Sequence, residues 1–98
     1  MSVMSDNALD GKLTISIEGR FDFAVQKDFR ASYEDIEAEK FIIDLLHTDY
    51  MDSSALGMLL MMREYVGGSN ADITLHHCSE DIKTILNVAN FKSLFTIA

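Results

Sequence analysis

The chain has no proline, no tryptophan and only one cysteine, Cys78. A lone cysteine cannot close an internal disulfide, so stability has to come from packing. Nothing in the sequence reads as a repeat, a low-complexity tract or a linker. Basic residues are also scarce, with 8 Lys and Arg against 16 Asp and Glu, for a net charge of −8. Nucleic-acid binding needs a cationic face for the phosphates, and no cluster of Lys or Arg is available to build one. An anionic membrane surface is disfavoured for the same reason. No apolar run approaches the roughly 20 residues of a membrane span. The opening MSVMSDNALDGK lacks the basic start and apolar core of a signal peptide. These absences point to a cytoplasmic domain whose partner is a protein with a basic or neutral contact surface.

What is present suits one folded unit. Ninety-eight residues, 48% of them apolar, make a single domain over 1–98. A chain of this size buries roughly 60–70% of its unfolded surface, enough for one core. KLTISIEG (12–19) alternates Leu13, Ile15 and Ile17 with polar residues, the period of a half-buried strand that Gly19 ends. LDG (9–11) reads as a turn, which makes SVMS (2–5) a hairpin partner. From Asp22, a candidate N-cap, Val25, Phe29, Tyr33 and Ile36 fall on one helical stripe, and EAEK (37–40) closes the helix.

KFIIDLL (40–46) is apolar on both alternating faces apart from Asp44, the pattern of a central parallel strand. HTDYMD (47–52) reads as a loop and SSALGMLLMMREYV (53–66) as a largely buried helix stopped by GGSN (67–70). DITLHHC (72–78) reads as a strand, SEDIKTILNVANF (79–91) as a helix opened by Ser79, and SLFTIA (93–98) as a short last strand. The alternation predicts an α/β fold: a mixed, mostly parallel sheet of four to five strands with about three helices.

Function concentrates at one seam. Asp52, Ser53 and Ser54 stand between the strongest apolar strand and the helix that follows, where open α/β sheets collect functional groups. One reading is a helix cap, which contributes about 0.5–2 kcal/mol. A cap needs one residue, and three polar candidates stand in line. A hydrolase triad of Ser53, His47 and Asp49 is disfavoured, since all three lie in one short segment and no Gly-x-Ser-x-Gly elbow exists. HHC puts His76 and Cys78 on one strand face with His77 opposite, too few ligands for zinc. No metal, cofactor or enzymatic activity is expected. No Gly-rich phosphate loop is present for a nucleotide either. Met51, Met58, Met61 and Met62 suit core filling, with some free to reach the surface beside Ser53 and centre a partner interface.

FIIDLLHTDYMDSSALGMLL resembles the signature of the anti-sigma factor antagonist family, the STAS domain: an apolar strand, a loop ending in Asp-Ser-Ser-(Gly/Ala)-Leu-Gly, then an apolar helix. IEGRFDF is similar to the family's upstream Gly-x-Leu/Phe-Asp element, and GGSNADITLHHCSEDIKTILNVANFKSLFTI resembles its ending. The resemblance implies a cycle in which a serine protein kinase phosphorylates the domain and a PP2C-type phosphatase restores it. The unmodified form binds an anti-sigma factor, or an equivalent regulator, and frees the sigma factor that it restrains. By resemblance Ser53 is the phosphoacceptor, with Asp52 and Ser54 flanking it. Asp22 matches the acidic residue near the phosphorylation loop, and Gly19 and Gly57 match the motif glycines. Ala55 stands where many members have glycine, an exchange that costs a helix start little. GRFDF with DSSALGMLL is close to a Gram-negative subgroup tied to motility and biofilm control. Its implied partners are a flagellar-type anti-sigma factor and a response regulator with a kinase or phosphatase output domain.

A phosphate on Ser53 would add about −1.5 to −2 charges at a helix N-terminus, where free N–H groups and the macrodipole favour it. The fold should tolerate it, whereas a partner docked there would not. The contrasting expectation is a constitutive STAS-fold accessory subunit of a transport or signalling complex, with the serines acting only as a cap.

Overall fold

The computed structural model describes residues 3–7 and 10–98. In chain order the strands are β1 (Val3–Asn7), β2 (Lys12–Ile17), β3 (Gly19–Phe21), β4 (Lys40–Asp44), β5 (Thr48–Met51), β6 (Ile73–His76) and β7 (Thr96–Ile97). The α-helices are α1 (Gln26–Tyr33), α2 (Ser53–Val66) and α3 (Glu80–Val88). The main sheet runs β1-β2-β4-β6-β7. Only β1 is antiparallel, paired with β2 as the hairpin pattern predicts. Of the LDG turn, Asp10 and Gly11 are described, and Leu9 lies outside the described residues.

Period-two alternation sets the register. Leu13, Ile15 and Ile17 of β2, Phe41 and Ile43 of β4, and Ile73 and Leu75 of β6 are all buried. They pair in step, Leu13 with Phe41 and Phe41 with Ile73, so one face of the sheet becomes a continuous apolar floor. Phe29 and Tyr33 of α1, Ala55, Met58, Leu59 and Met62 of α2, and Ile82 and Leu86 of α3 join the same core.

Several boundaries differ from the pattern-based reading. The strand from Lys40 stops at Asp44, and its faces are unequal: Phe41, Ile43 and Leu45 are buried, Ile42 and Asp44 only half-buried, and Leu46 exposed. Asp22 caps a 3-10 turn (Phe23–Val25), from which α1 continues. α1 ends at Tyr33 because Glu34 turns extended (ψ +132°), and Asp35 follows in a left-handed conformation (φ +64°). Ile36 therefore reaches the core from beyond the helix, and EAEK is not helical. The expected stops and caps at the other helices are present. Gly67 ends α2 at φ +146°, where a side chain would be strained, and the Ser79 hydroxyl accepts the Ile82 N–H to open α3.

The largest difference is at HTDYMD. Thr48–Met51 is a strand, not a loop, and it pairs parallel with β3 in a second, two-stranded sheet. Gly19 accordingly opens β3 instead of simply ending β2. Thr48 is buried, and its hydroxyl donates to the Ile17 carbonyl at 2.7 Å, which ties this ribbon to the end of β2.

Candidate functional site

The β3–β5 ribbon brings two helix starts side by side. Arg20 lies opposite Tyr50 and Phe21 opposite Met51, so the next residues, Asp22 and Asp52, leave the ribbon together. Gly19 enters at φ +80°, a left-handed conformation that favours glycine, and its N–H donates to the His47 carbonyl at 2.9 Å. Phe21 and Met51 are buried and fix the two junctions to the core.

Asp52 is the cap of α2. Its Oδ1 accepts the Ser54 N–H at 3.0 Å, the Ala55 N–H at 3.4 Å and the Ser54 hydroxyl. The Ser54 hydroxyl holds the Asp52 carboxyl below the usual range, more than offsetting desolvation, with help from the two backbone N–H groups and Tyr50. Of the three polar candidates, then, Asp52 caps, Ser54 is tied to the cap, and Ser53 stands exposed at the first position of the helix. Ala55 is fully buried, so a methyl group at the motif's variable position fills core space.

Asp22 repeats the arrangement. Its Oδ1 accepts the Ala24 N–H at 3.0 Å, and its Oδ2 accepts from Arg20 Nε at 3.0 Å. The Arg20 guanidinium also lies 3.8 Å from the centroid of the Tyr50 ring. Tyr50 Oη in turn lies 3.5 Å from Asp52 Oδ2. Asp22, Arg20, Tyr50 and Asp52 thus form one polar chain across the ribbon. Pattern reading assigned no role to Arg20 or Tyr50. The available signal was the recurrence of an apolar residue directly before aspartate in GRFD and DYMD.

The outer face of α2 carries Ser53, Gly57, Leu60, Met61 and Tyr65, all exposed. A groove of about 180 Å³ lies between α1 and α2, lined by Gln26, Lys27, Phe29, Arg30, Met58 and Met61 among others. The methionines divide: Met51, Met58 and Met62 are buried, while Met61 is half exposed. Met58 both fills the core and lines the groove. Gly57 is helical, and a Cβ there would meet nothing within 4 Å.

The HHC segment is not an alternating strand throughout. β6 ends at His76, His77 takes φ +58°, and the two rings stack with centroids 3.8 Å apart. His77 Nδ1 lies 3.0 Å from Asp44 Oδ1. Cys78 is half-buried, which pushes its thiol pKa up and away from a reactive thiolate. Among the described residues, no group of three or more His, Cys, Asp or Glu side chains is arranged to hold a metal ion. No helix of those residues is long and apolar enough to cross a membrane.

Comparison with known proteins bears on this geometry. A STAS-domain containing protein of Pseudomonas aeruginosa is 46% identical over 101 residues, covering all of both chains. Among solved structures, the unphosphorylated anti-sigma factor antagonist SpoIIAA superposes with a TM-score of 0.72 at 14% identity, over 98% of this chain and 86% of that one. The phosphorylated form of this Bacillus cell fate determinant gives 0.67 at 16% identity, over 98% and 90%. A sulfate transporter family protein of Wolinella succinogenes gives 0.75 at 19% identity, over 91% and 81%. At these identities the structural likenesses establish the fold, that of SpoIIAA. The STAS domain family profile matches residues 4–98, and the chain belongs to the STAS domain family.

Proposed function

We propose that this domain is a phospho-regulated protein-binding switch. The unphosphorylated form binds an anti-sigma factor, or an equivalent regulator, and releases the sigma factor it restrains. A serine protein kinase transfers a phosphoryl group from ATP to the Ser53 hydroxyl and ends the interaction, and a PP2C-type phosphatase reverses the step. On this reading the domain is a substrate of enzymes and not itself one, and it acts in the cytoplasm.

The observation that carries the reading is the division of labour at the start of α2. Capping is complete without Ser53, because Asp52 accepts the helix N–H groups and the Ser54 hydroxyl. Ser53 is left exposed, with a hydroxyl that the cap does not use. Its position suits a phosphate, which meets the positive end of a 14-residue helix. That a SpoIIAA of the same fold exists in a phosphorylated form supports the assignment.

The partner surface we assign to the outer face of α2, continuous from Ser53 through Gly57 to Leu60 and Met61, with the α1–α2 groove and Met58 beside it. Gly57 has no steric reason to be glycine, and its bare backbone lets a partner approach closely one turn from Ser53. Asp22, Asp49 and Asp52 give this end of the molecule an acidic character that favours a basic partner segment. A new phosphate among them needs to weaken binding by only about 2.7 kcal/mol to cut affinity 100-fold. Exclusion by charge and desolvation is enough, with no large rearrangement.

The test uses wild type, Ser53→Ala and Ser53→Asp as baits in lysate, read by mass spectrometry. The switch predicts a small anti-sigma-like protein retained by wild type and Ser53→Ala and lost by Ser53→Asp. If all three baits recover the same proteins and no phosphate is found on Ser53, the domain is a constitutive subunit.

A further inference from the structure

We propose that Arg20 binds the phosphate on Ser53, its two terminal amino groups forming the phosphate-receiving fork of the switch. The inference rests on the switch reading and adds a cation that the motif around Ser53 does not contain.

Residues 18–26 and 47–58 make up the two junctions, and Arg20 is the single Lys or Arg in either segment. It is held in place from two sides. Nε donates to Asp22 Oδ2 at 3.0 Å, and the guanidinium carbon lies 3.8 Å from the Tyr50 ring centroid. Tyr50 is its register partner, and the phenol oxygen lies 3.5 Å from Asp52 Oδ2. One aromatic ring therefore spans from the guanidinium to the carboxylate that precedes Ser53. The Asp22 bond uses Nε, which leaves both terminal amino groups for another acceptor. Arginine binds phosphate best in that way, through two parallel N–H···O bonds. The side chain is 61% exposed, so the fork is accessible to a group growing from the neighbouring helix start.

The energetics favour a shift toward the modified serine. A phosphoserine carries about −1.5 to −2 charges and three strong acceptor oxygens, whereas Asp22 offers one negative charge, part of it already engaged by the Ala24 N–H. Stacking on Tyr50 limits the entropy lost when the guanidinium is captured. Once it pairs with the phosphate, Asp22 loses part of its compensation. A modification on the α2 side thereby alters the α1 side as well, including exposed Phe23 next to Asp22. Phosphorylation then changes a patch that spans both junctions.

The test is a pH titration by ³¹P NMR of the full chain carrying genetically encoded phosphoserine at position 53, compared with the same chain bearing Arg20→Gln or Arg20→Lys. A cation on the phosphate favours the dianion, so its second pKa should lie lower in the parent than in Arg20→Gln by about 0.5 unit or more. Arg20→Lys keeps a point charge without the fork and should fall between them. Equal values in the parent and Arg20→Gln, with both chains folded by circular dichroism, overturn the inference. Should Arg20→Gln fail to fold, a value for Arg20→Lys equal to the parent's overturns it. The two readings fail separately. Unchanged partner capture by the phosphorylated chain defeats the switch, while the titration alone decides whether Arg20 holds the phosphate.

Discussion

The two aspartate junctions are built on the same backbone device and end in different chemistry. Asp22 and Asp52 leave paired strands at nearly the same dihedral angles, φ −143° and ψ −170° against φ −132° and ψ −171°. Each accepts the N–H two residues on at 3.0 Å. At Asp22 the second oxygen is taken by a cation of its own strand, the chain goes on into a 3-10 turn, and the next residue is exposed Phe23. At Asp52 the neighbour is a hydroxyl, no cation stands on the same strand, and the next residue is exposed Ser53 at the head of a long helix. One junction is closed electrostatically by its own arginine. The other leaves an exposed hydroxyl that the cap does not use. A cap aspartate by itself marks nothing; the side chains around it decide what the helix start leaves exposed.

The comparison rests first on the tie that holds the ribbon in place. Thr48→Val keeps the shape of the buried side chain and leaves the Ile17 carbonyl without its 2.7 Å donor. A lost buried hydrogen bond of this kind costs about 1–3 kcal/mol. For a domain this small that is a fall in Tm of about 5–15 °C, checked by thermal melts followed by circular dichroism. Loss of the β3–β5 register should also weaken partner capture, because both junctions depend on it.

Next in size is the contrast between the caps themselves. Asp52→Ala removes the acceptor of two backbone N–H groups and one hydroxyl, and should lower Tm by about 5 °C. Asp22→Ala removes one backbone acceptor and the partner of an exposed arginine, and should lower Tm by about half as much. Equal losses in the two melts would break the distinction between a principal and a minor cap.

A smaller effect of opposite sign tests Gly57. Because the space around it is open, Gly57→Ala should raise Tm by about 2–5 °C through better helix propensity. The same substitution should weaken partner binding if the bare backbone is a contact. A variant that is both more stable and equally well bound would remove Gly57 from the interface.

The smallest effect is on acid sensitivity. The folded state holds the Asp52 carboxyl below its usual range, chiefly through the Ser54 hydroxyl. A depressed folded pKa stabilises above the unfolded value, and that contribution is lost as pH falls through the folded one. Asp52→Asn keeps a good capping residue and removes the titration. Its denaturant midpoint should therefore change less between neutral pH and pH 3 than that of the parent.

Much of this was legible in the residues, and the exceptions have physical causes. The alternation of Leu13, Ile15 and Ile17, the stop at Gly67 and the cap at Ser79 are local signals, and they sufficed to locate the main sheet, α2 and α3, although α2, expected to be largely buried, buries only Ala55, Met58, Leu59 and Met62. The reading failed where pairing partners are far apart in sequence. TDYM is short and mostly polar, and it is a strand only because β3 lies beside it, about thirty residues earlier. Ile36 fits the helical spacing of Val25, Phe29 and Tyr33, yet the chain leaves the helix at extended Glu34 and left-handed Asp35 before reaching it. At the seam the motif pointed to Ser53, but spacing alone could not decide which of three polar residues would cap.

Composition and periodicity by themselves determined the α/β class, the order of the main-sheet strands and the helices, the dependence on packing without disulfides and the place where polar groups interrupt two apolar elements. These are properties of near neighbours, fixed by hydrophobic period and by a few residues with restricted backbone preferences. The tertiary structure alone decided that β3 and β5 pair, that Asp52 caps while Ser53 stays exposed, and that Arg20 and Tyr50 reach across to join two junctions. Those outcomes depend on contacts between segments distant in sequence, and no local pattern encodes which cation will lie over which ring.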